Sequence, residues 1–350
     1  MSRYQTNHPD WSEEHSRRPQ HRPGQTPEEI EQTVRRIREE LSAQGLFCGA
    51  QAILWEMEDS PIHPLPSLRT INRILRRQGL IQRRTERYQP KGKTYPRLEG
   101  TSVNRVHQLD FVGPRYLRGP IRFYSLNAVD LASGRCALEP MTQRGGQYGL
   151  DAVWAIWQRL GIPDHLQVDN EMVFYGSPTH PRGMGTLIRL CLQHRVQLWF
   201  IPPGEPWRNG VVEKFNDHYQ QKFLNRYDLP DEQALRQQSQ AFEQRHNHSY
   251  RYSKLGGATP LQALTRSPRK LRFPTPKEAP RYPLLKPKRG KYHLVRFIRS
   301  DAILNVFGET FPLSSQTVYE YVIATVDVTQ QKIQVYLDTE QVEEIDYPLS

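Results

Sequence analysis

The order of apolar segments between residues 104 and 227 constrains this chain more than any other feature. Three strand-like runs, Val106 to Val112, Ile121 to Val129 and Arg135 to Met141, follow one another, with Gly113-Pro114, Gly119-Pro120 and Ser133-Gly134 supplying turns. Gly and Pro suit such points because glycine reaches conformations other residues resist and proline fixes φ. The period then changes. Leu150, Val153, Trp154, Ile156, Trp157 and Leu160 recur at helical spacing and stop at Gly161 and Pro163. Strand formers return at His165 to Val168 and at Val196 to Ile201, with a helix predicted near 184–194 between them. A further helix is predicted from beyond Pro206 through Glu213 toward Tyr227, and another over 231–246. Antiparallel strands followed by alternating helix and strand define a mixed α/β layer fold over 104–265.

The flanks read differently. Residues 1–25 are polar and aperiodic, so burial cannot offset their ordering entropy and a disordered tail is expected. Thr26 with Glu29 has the capping-box spacing, and Ile30, Val34, Ile37 and Leu41 predict a helix over about 27–43. A second amphipathic segment covers about 48–57. After Pro64 and Pro66, Ser67 caps a third helix through Ile71, Ile74 and Leu75 to Gly79. This pattern predicts a helix-turn-helix domain over 26–87. Its third helix and exit, residues 67–93, carry nine basic residues (Arg69, Arg73, Arg76, Arg77, Arg83, Arg84, Arg87, Lys91, Lys93) against the single acid Glu86. That asymmetry suits a phosphate backbone, the alternative being a solvated charged face.

Residues 88–103 read as a linker rich in Pro, Gly and Lys, and 266–290 as a second, basic one. The Pro-rich stretch 266–299 holds twelve Lys or Arg and one acid, Glu278. Residues 291–350 alternate apolar and polar and predict a small antiparallel β-barrel; its last fifty residues hold nine acids and one Lys, a surface that does not attract DNA. The 28 prolines and a mean hydropathy of −0.74 fit domains joined by extended connectors.

A net charge of +11 and a pI near 9.6 favour a polyanionic partner. Cys48, Cys136 and Cys191 are far apart and form no CxxC pair, and His107, His165, His180 and His194 lack metal-ligand spacing, so neither a disulfide framework nor a zinc site is indicated. No apolar run approaches the ~20 residues of a membrane span, and the N-terminal residues lack a signal-peptide core. A cytoplasmic protein is expected.

Three segments place an acid beside a turn at a strand or helix end. His107-Gln108-Leu109-Asp110-Phe111-Val112 puts Asp110 inside a strand, Leu166-Gln167-Val168-Asp169-Asn170 ends a strand on Asp169, and Asn209-Gly210-Val211-Val212-Glu213-Lys214 puts Glu213 in the first turns of a helix. Any one alone is more often a turn-former or cap. Three together match the need of phosphoryl transfer for hard cations held by oxygen, two of them about 3.5–4 Å apart, with Asp110 shared and Asp169 and Glu213 completing one each. Trp199 and Phe200 read as core or wall of such a site, and Trp207 as the aromatic residue to test.

The segments QLDFVGP, VDN and PPGEPWRNGVVEKFN resemble the signature regions of integrase-like DDE transposases of bacterial insertion sequences. The resemblance implies a ribonuclease H-like core of the retroviral-integrase type, with Asp110, Asp169 and Glu213 as catalytic, metal-binding acids. Asn170 matches the residue after the second Asp, and Asn209 begins the NG pair before the Glu. Glu171 stands where the family carries Gly. It further implies Mg²⁺ or Mn²⁺ as cofactor, two ions, and double-stranded DNA as partner, both element ends and target. A homo-oligomer assembled on DNA and a place at the bacterial nucleoid follow from the same resemblance. Expected DNA contacts are Arg69, Arg73, Arg76, Arg77, Arg83, Arg84, Asn170, Asn209 and Lys214. The other readings are a transposase-derived DNA-binding regulator without catalysis and a simple metal-dependent nuclease.

Overall fold

The computed structural model describes residues 26–60, 64–81, 94–176 and 182–350. These divide into two compact units, one drawn from Met1–Gln44 and Cys48–Arg83, the other from Gly45–Phe47 and Arg84–Ser350. The tail 1–25 and most of the basic exit of the third predicted helix lie outside the described residues.

In the first unit α1 (Glu28–Ala43), α2 (Ala50–Glu58) and α3 (Leu68–Arg77) bury Val34, Ile37 and Leu41, Ile53 and Met57, and Ile71, Ile74 and Leu75. Each set repeats every three or four residues, which puts it on one helix face. The capping box expected at Thr26 does not form. Pro27 is the N-cap and makes no side-chain bond; Glu28, Glu29 and Glu31 in the first turn instead oppose the positive end of the helix dipole. Ser67 does cap α3, accepting from the Thr70 amide at 3.2 Å. Ser67→Ala is therefore expected to cost about 1 kcal/mol, read as a lower denaturant midpoint of this unit; an unchanged midpoint would show that the cap contributes nothing.

The second unit begins with a meander, β1 (Val106–Tyr116), β2 (Arg122–Asp130) and β3 (Cys136–Met141), followed by α4 (Gly146–Leu160), β4 (His165–Val168), α5 (Met172–Tyr175), α6 (Thr186–Gln193) and β5 (Gln197–Phe200). A 3-10 turn, Pro206–Asn209, leads into α7 (Gly210–Tyr219), which ends in a π turn; α8 (Glu232–Ser249) and α9 (Pro260–Thr265) come next. After an irregular stretch come β6 (Lys291–Phe297), β7 (Ile303–Val306), β8 (Glu309–Pro312), β9 (Tyr321–Asp327), β10 (Lys332–Leu337) and β11 (Glu340–Asp346). The described strands form one nine-stranded sheet, ordered β11-β10-β9-β6-β5-β4-β1-β2-β3, plus the ribbon β7-β8. β1, β4, β5 and β6 are mutually parallel neighbours, while β2, β3 and β9 to β11 run antiparallel to theirs.

The expected separate barrel over 291–350 is thus corrected. β6 pairs with β5, matching Leu198 to Tyr292 and Phe200 to Leu294, and brings β9, β10 and β11 into the core sheet. Without β6 the edge of β5 would carry unpaired N–H and C=O groups; with it, Tyr292, Leu294, Val322, Ala324, Ile333 and Val335 join the same core as Leu166 and Leu198.

Strand alternation divides the core between two faces. Leu126 and Ala128 of β2 point to the face covered by α4 and α6, through Val153, Trp157, Ile188 and Cys191. Phe123 and Val129 point to the other face, covered by Val212, Phe215 and Tyr219 of α7 and Leu235 and Phe242 of α8. Buried Glu243 ties these layers, accepting from the Leu138 amide at 2.8 Å and from Arg159 Nε at 2.9 Å. No described helix is long and apolar enough to cross a membrane.

Candidate active site

Two parallel strands set the first two acids side by side. β1 and β4 are in register at Gln108 and Gln167; two residues on, Asp110 sits in β1 opposite Asn127 of β2, and Asp169 follows directly on β4. The same two glutamines place the third acid. Gln108 Oε1 accepts from the amides of Val211 and Val212, each at 3.0 Å, which answers two of the unsatisfied N–H groups at the start of α7. Gln167 Nε2 donates to the Arg208 carbonyl at 2.9 Å, and Asn209 Nδ2 donates to the Leu109 carbonyl at 3.1 Å. The N-terminus of α7 is thereby pinned on the acid-bearing strands, with Glu213 in its first turn.

One turn further along α7, Asn216 Nδ2 donates to Asp110 Oδ2 at 2.8 Å. Its Oδ1 accepts from Asn127 Nδ2 at 2.8 Å, and Asn127 Oδ1 accepts from Ser125 Oγ at 2.6 Å. This buried chain orients the Asp110 carboxylate from behind.

The charge of Asp169 reaches both of the other acids. Burial, then the charge of Asp169 and with it that of Glu213, pushes the Asp110 carboxyl up to about 7. Burial raises Asp169 to about 6, opposed by Arg144. Glu213 is raised by burial, then by Asp217 and Asp169. Uncompensated carboxylates of this kind are what a hard divalent cation relieves, and three carboxylates are a donor set suited to Mg²⁺ or Mn²⁺. Among the described residues, however, no three His, Cys, Asp or Glu side chains stand close enough to form a closed ligand cluster. The acids are neighbours rather than a finished cage.

The expected DNA contacts separate into three groups. Arg69, Arg73 and Arg76 are exposed on α3 and Lys214 is exposed on α7, while Arg77 is ion-paired with Glu31; Arg83 and Arg84 lie outside the described residues. Asn170 and Asn209, in contrast, are spent inside the fold. Asn209, 2% exposed, holds Leu109 and also accepts from Gln167 at 3.3 Å. Asn170 donates to the Ile201 carbonyl at 2.5 Å and accepts from Arg296 Nη2 at 2.9 Å. Arg296 of β6, itself buried, also donates to the Asn305 carbonyl at 2.9 Å. Asn209 thereby ties the turn before α7 to the middle of β1, and Asn170 ties the turn after β4 to the residue that follows β5.

Of the histidines, His107 is buried and held down to about 4 by burial, and His165 accepts from Trp199 Nε1 at 3.1 Å; His180 is outside the described residues. Trp199 stacks on His293 at 4.1 Å and Phe200 is fully buried, whereas Trp207 is 40% exposed beside a cavity of about 620 Å³ that also borders Gln108, Gln167 and Lys254.

Several residues of the site were not singled out from sequence. Asn216 had a signal, lying three residues beyond Glu213 on one helix face. Gln108 and Gln167 had one too, each two residues before an Asp and so on the same strand face. Arg144 and Arg296 had none. Arg144 lies over the rings of Phe111 (4.3 Å) and Tyr124 (5.1 Å) and is ion-paired with Glu171.

Residues 194–260 match the family model described as the integrase core domain. No curated protein matches the chain. Among solved structures it is similar to the simian T-cell lymphotropic virus intasome in complex with the PP2A regulatory subunit B56 gamma, at 16% identity and a TM-score of 0.42, over 89% of this chain and 96% of that one. It is also similar to the HTLV-2 integrase catalytic core domain in complex with magnesium in its dimeric form, at 18% identity and a TM-score of 0.35, over 47% of this chain and 99% of that one.

Proposed function

We propose that this chain, integrase-like over residues 194–260, is a metal-dependent DNA transferase of the insertion-sequence transposase type, which cuts 3′ ends of an element and joins them to a target. The observation that carries the reading is the convergence of Asp110, Asp169 and Glu213 from β1, the end of β4 and α7, each with its carboxyl raised above the ordinary range, and with the charge of Asp169 acting on both of the others. Cleavage breaks a P–O bond with water and leaves a 3′-hydroxyl; joining breaks one target P–O bond for each formed. Neither step needs a nucleotide or a covalent protein intermediate.

Asp110, Asp169 and Glu213 would hold two Mg²⁺ or Mn²⁺ ions, which supply charge stabilisation to the attacking and leaving oxygens. The protein's own part is positional. Gln108 and Gln167 fix α7 on the sheet, Asn216 keeps Asp110 turned into the site, and Arg296 braces the turn after Asp169. Arg69, Arg73 and Arg76 on α3, with Arg77, Arg83 and Arg84, are assigned to the element ends through a helix-turn-helix over 26–87, and Lys214 to DNA beside the acids. The 266–290 segment is a second basic linker. Joining two ends calls for more than one copy on double-stranded DNA, at the bacterial nucleoid.

The test is incubation of the protein with Mg²⁺ or Mn²⁺ and labelled DNA carrying the repeats that flank its gene, for wild type and Asp169→Asn. Joined products from wild type alone support the transferase. Hydrolysed products without joining support the nuclease, and specific binding with neither supports the regulator.

A further inference from the structure

We propose that Arg144 is the phosphate-binding residue of this site and that Glu171 holds it in reserve until DNA arrives. The inference rests on the DNA-processing reading above and goes beyond it to a second charged pair.

Arg144 lies between β3 and α4, and its guanidinium sits over Phe111, the residue after Asp110, and over Tyr124. Phe111 in turn stacks on Phe174 at 5.5 Å, so the platform is itself packed. A guanidinium on two rings keeps its plane and its donors while losing little entropy when it binds. Glu171 is tied to the acid loop, its amide donating to Asp169 Oδ1 at 3.1 Å, and its carboxylate takes Arg144 Nη2.

The pair is incomplete. Arg144 Nε is buried and has no hydrogen-bond partner, although Nε and Nη2 form the edge with which arginine grips a phosphate or carboxylate twice. Glu171 Oε2, the oxygen against Nη2, is likewise buried with no hydrogen-bond partner, so the ion pair leaves both the fork and the carboxylate short of a full set of bonds. A phosphodiester arriving at Asp110 and Asp169 offers two oxygens and a full charge, so it satisfies both donors. The side chains are 28% and 33% exposed, open enough for exchange.

The experiment uses the full chain and duplex DNA with the flanking repeats, for wild type, Arg144→Gln, Arg144→Lys, Glu171→Gln and the double Arg144→Gln/Glu171→Gln. Joining is measured in Mg²⁺, and affinity by fluorescence anisotropy in Ca²⁺ at fixed salt. Arg144→Gln is expected to slow joining on the order of 100-fold, and Arg144→Lys, which keeps charge but not the fork, about tenfold. Glu171→Gln is expected to tighten binding about three- to fivefold, and the double variant to behave like Arg144→Gln. A pair that merely anchors its two loops gives another pattern: Glu171→Gln then impairs joining as much as Arg144→Gln, and the double variant recovers, which overturns the proposal. Should Arg144→Gln fail to fold, Arg144→Lys joining at the wild-type rate overturns it. If wild type binds DNA but does not join it, the transferase reading fails and the binding arm decides: tightening by Glu171→Gln with weakening by Arg144→Gln retains the phosphate site, and equal affinities remove it.

Discussion

Asp110→Asn is expected to abolish cleavage and joining together, by on the order of 10³-fold or more, with DNA affinity retained, and at the same time to stabilise the cation-free protein above neutral pH. The two effects share one cause. Burial and then Asp169 push the Asp110 carboxyl up to about 7, against an ordinary value of 3.8. The native state therefore prefers the protonated acid, and the stability linked to this group is fully present below about 3.8 and lost as pH rises through about 7. Asp169, raised to about 6 by burial, acts in the same direction. With cations chelated, the wild type should melt lower at pH 8 than at pH 5.5. Asp110→Asn, which has no charge to lose and accepts less well from Asn216 Nδ2, should narrow that gap by on the order of 2 kcal/mol. Thermal unfolding in a chelator across this pH range, beside joining assays in Mg²⁺, gives both readings. A variant that joins DNA, or one whose pH dependence equals wild type's, would remove Asp110 from the centre of the site.

Glu243→Leu is expected to destabilise the second unit by about 3 kcal/mol. Glu243 is 7% exposed, and its carboxylate spans three elements, receiving the Leu138 amide of β3 and Arg159 of α4 from its own place on α8. Leucine preserves bulk but leaves the Leu138 N–H with no acceptor, while Arg159 keeps Glu139 at 2.5 Å and the Leu138 carbonyl at 3.0 Å. Glu243→Gln, which can still accept from Leu138, should cost less. Chemical denaturation followed at the tryptophans resolves the two, and a Leu variant with the wild-type midpoint would show that this bridge is dispensable.

Much of the fold and the three acids were legible before any coordinates. The helices over 27–43, 150–160 and 231–246 and the strands at 106–112, 165–168 and 196–201 announce themselves by period, and period is local: a helix face repeats every three or four residues and a strand face every second. The contexts of Asp110, Asp169 and Glu213 were visible for the same reason, one inside a strand run, one at a strand end and one in the first turns of a helix. Local patterns also misled. Thr26 has the spacing of a capping box, yet Pro27, with its preset φ, takes the N-cap position without any side-chain bond. Asn170 and Asn209 flank the acids as DNA-facing residues would, yet Asn209 is buried and both side chains bond backbone carbonyls of other strands and turns.

What the sequence by itself determined is which segments are strands and helices and which acids they carry, since turn chemistry and hydrophobic period act over a few residues. Only the tertiary structure decided the rest. Alternation in 291–346 specified strands but not that β6 would seal the open edge of β5 in place of closing a barrel. Nothing local pairs Arg144 with Glu171, or brings Arg296 to Asn170 across 126 positions of chain. Such contacts depend on how the layers pack, and a buried polar group takes whichever partner that packing brings within reach.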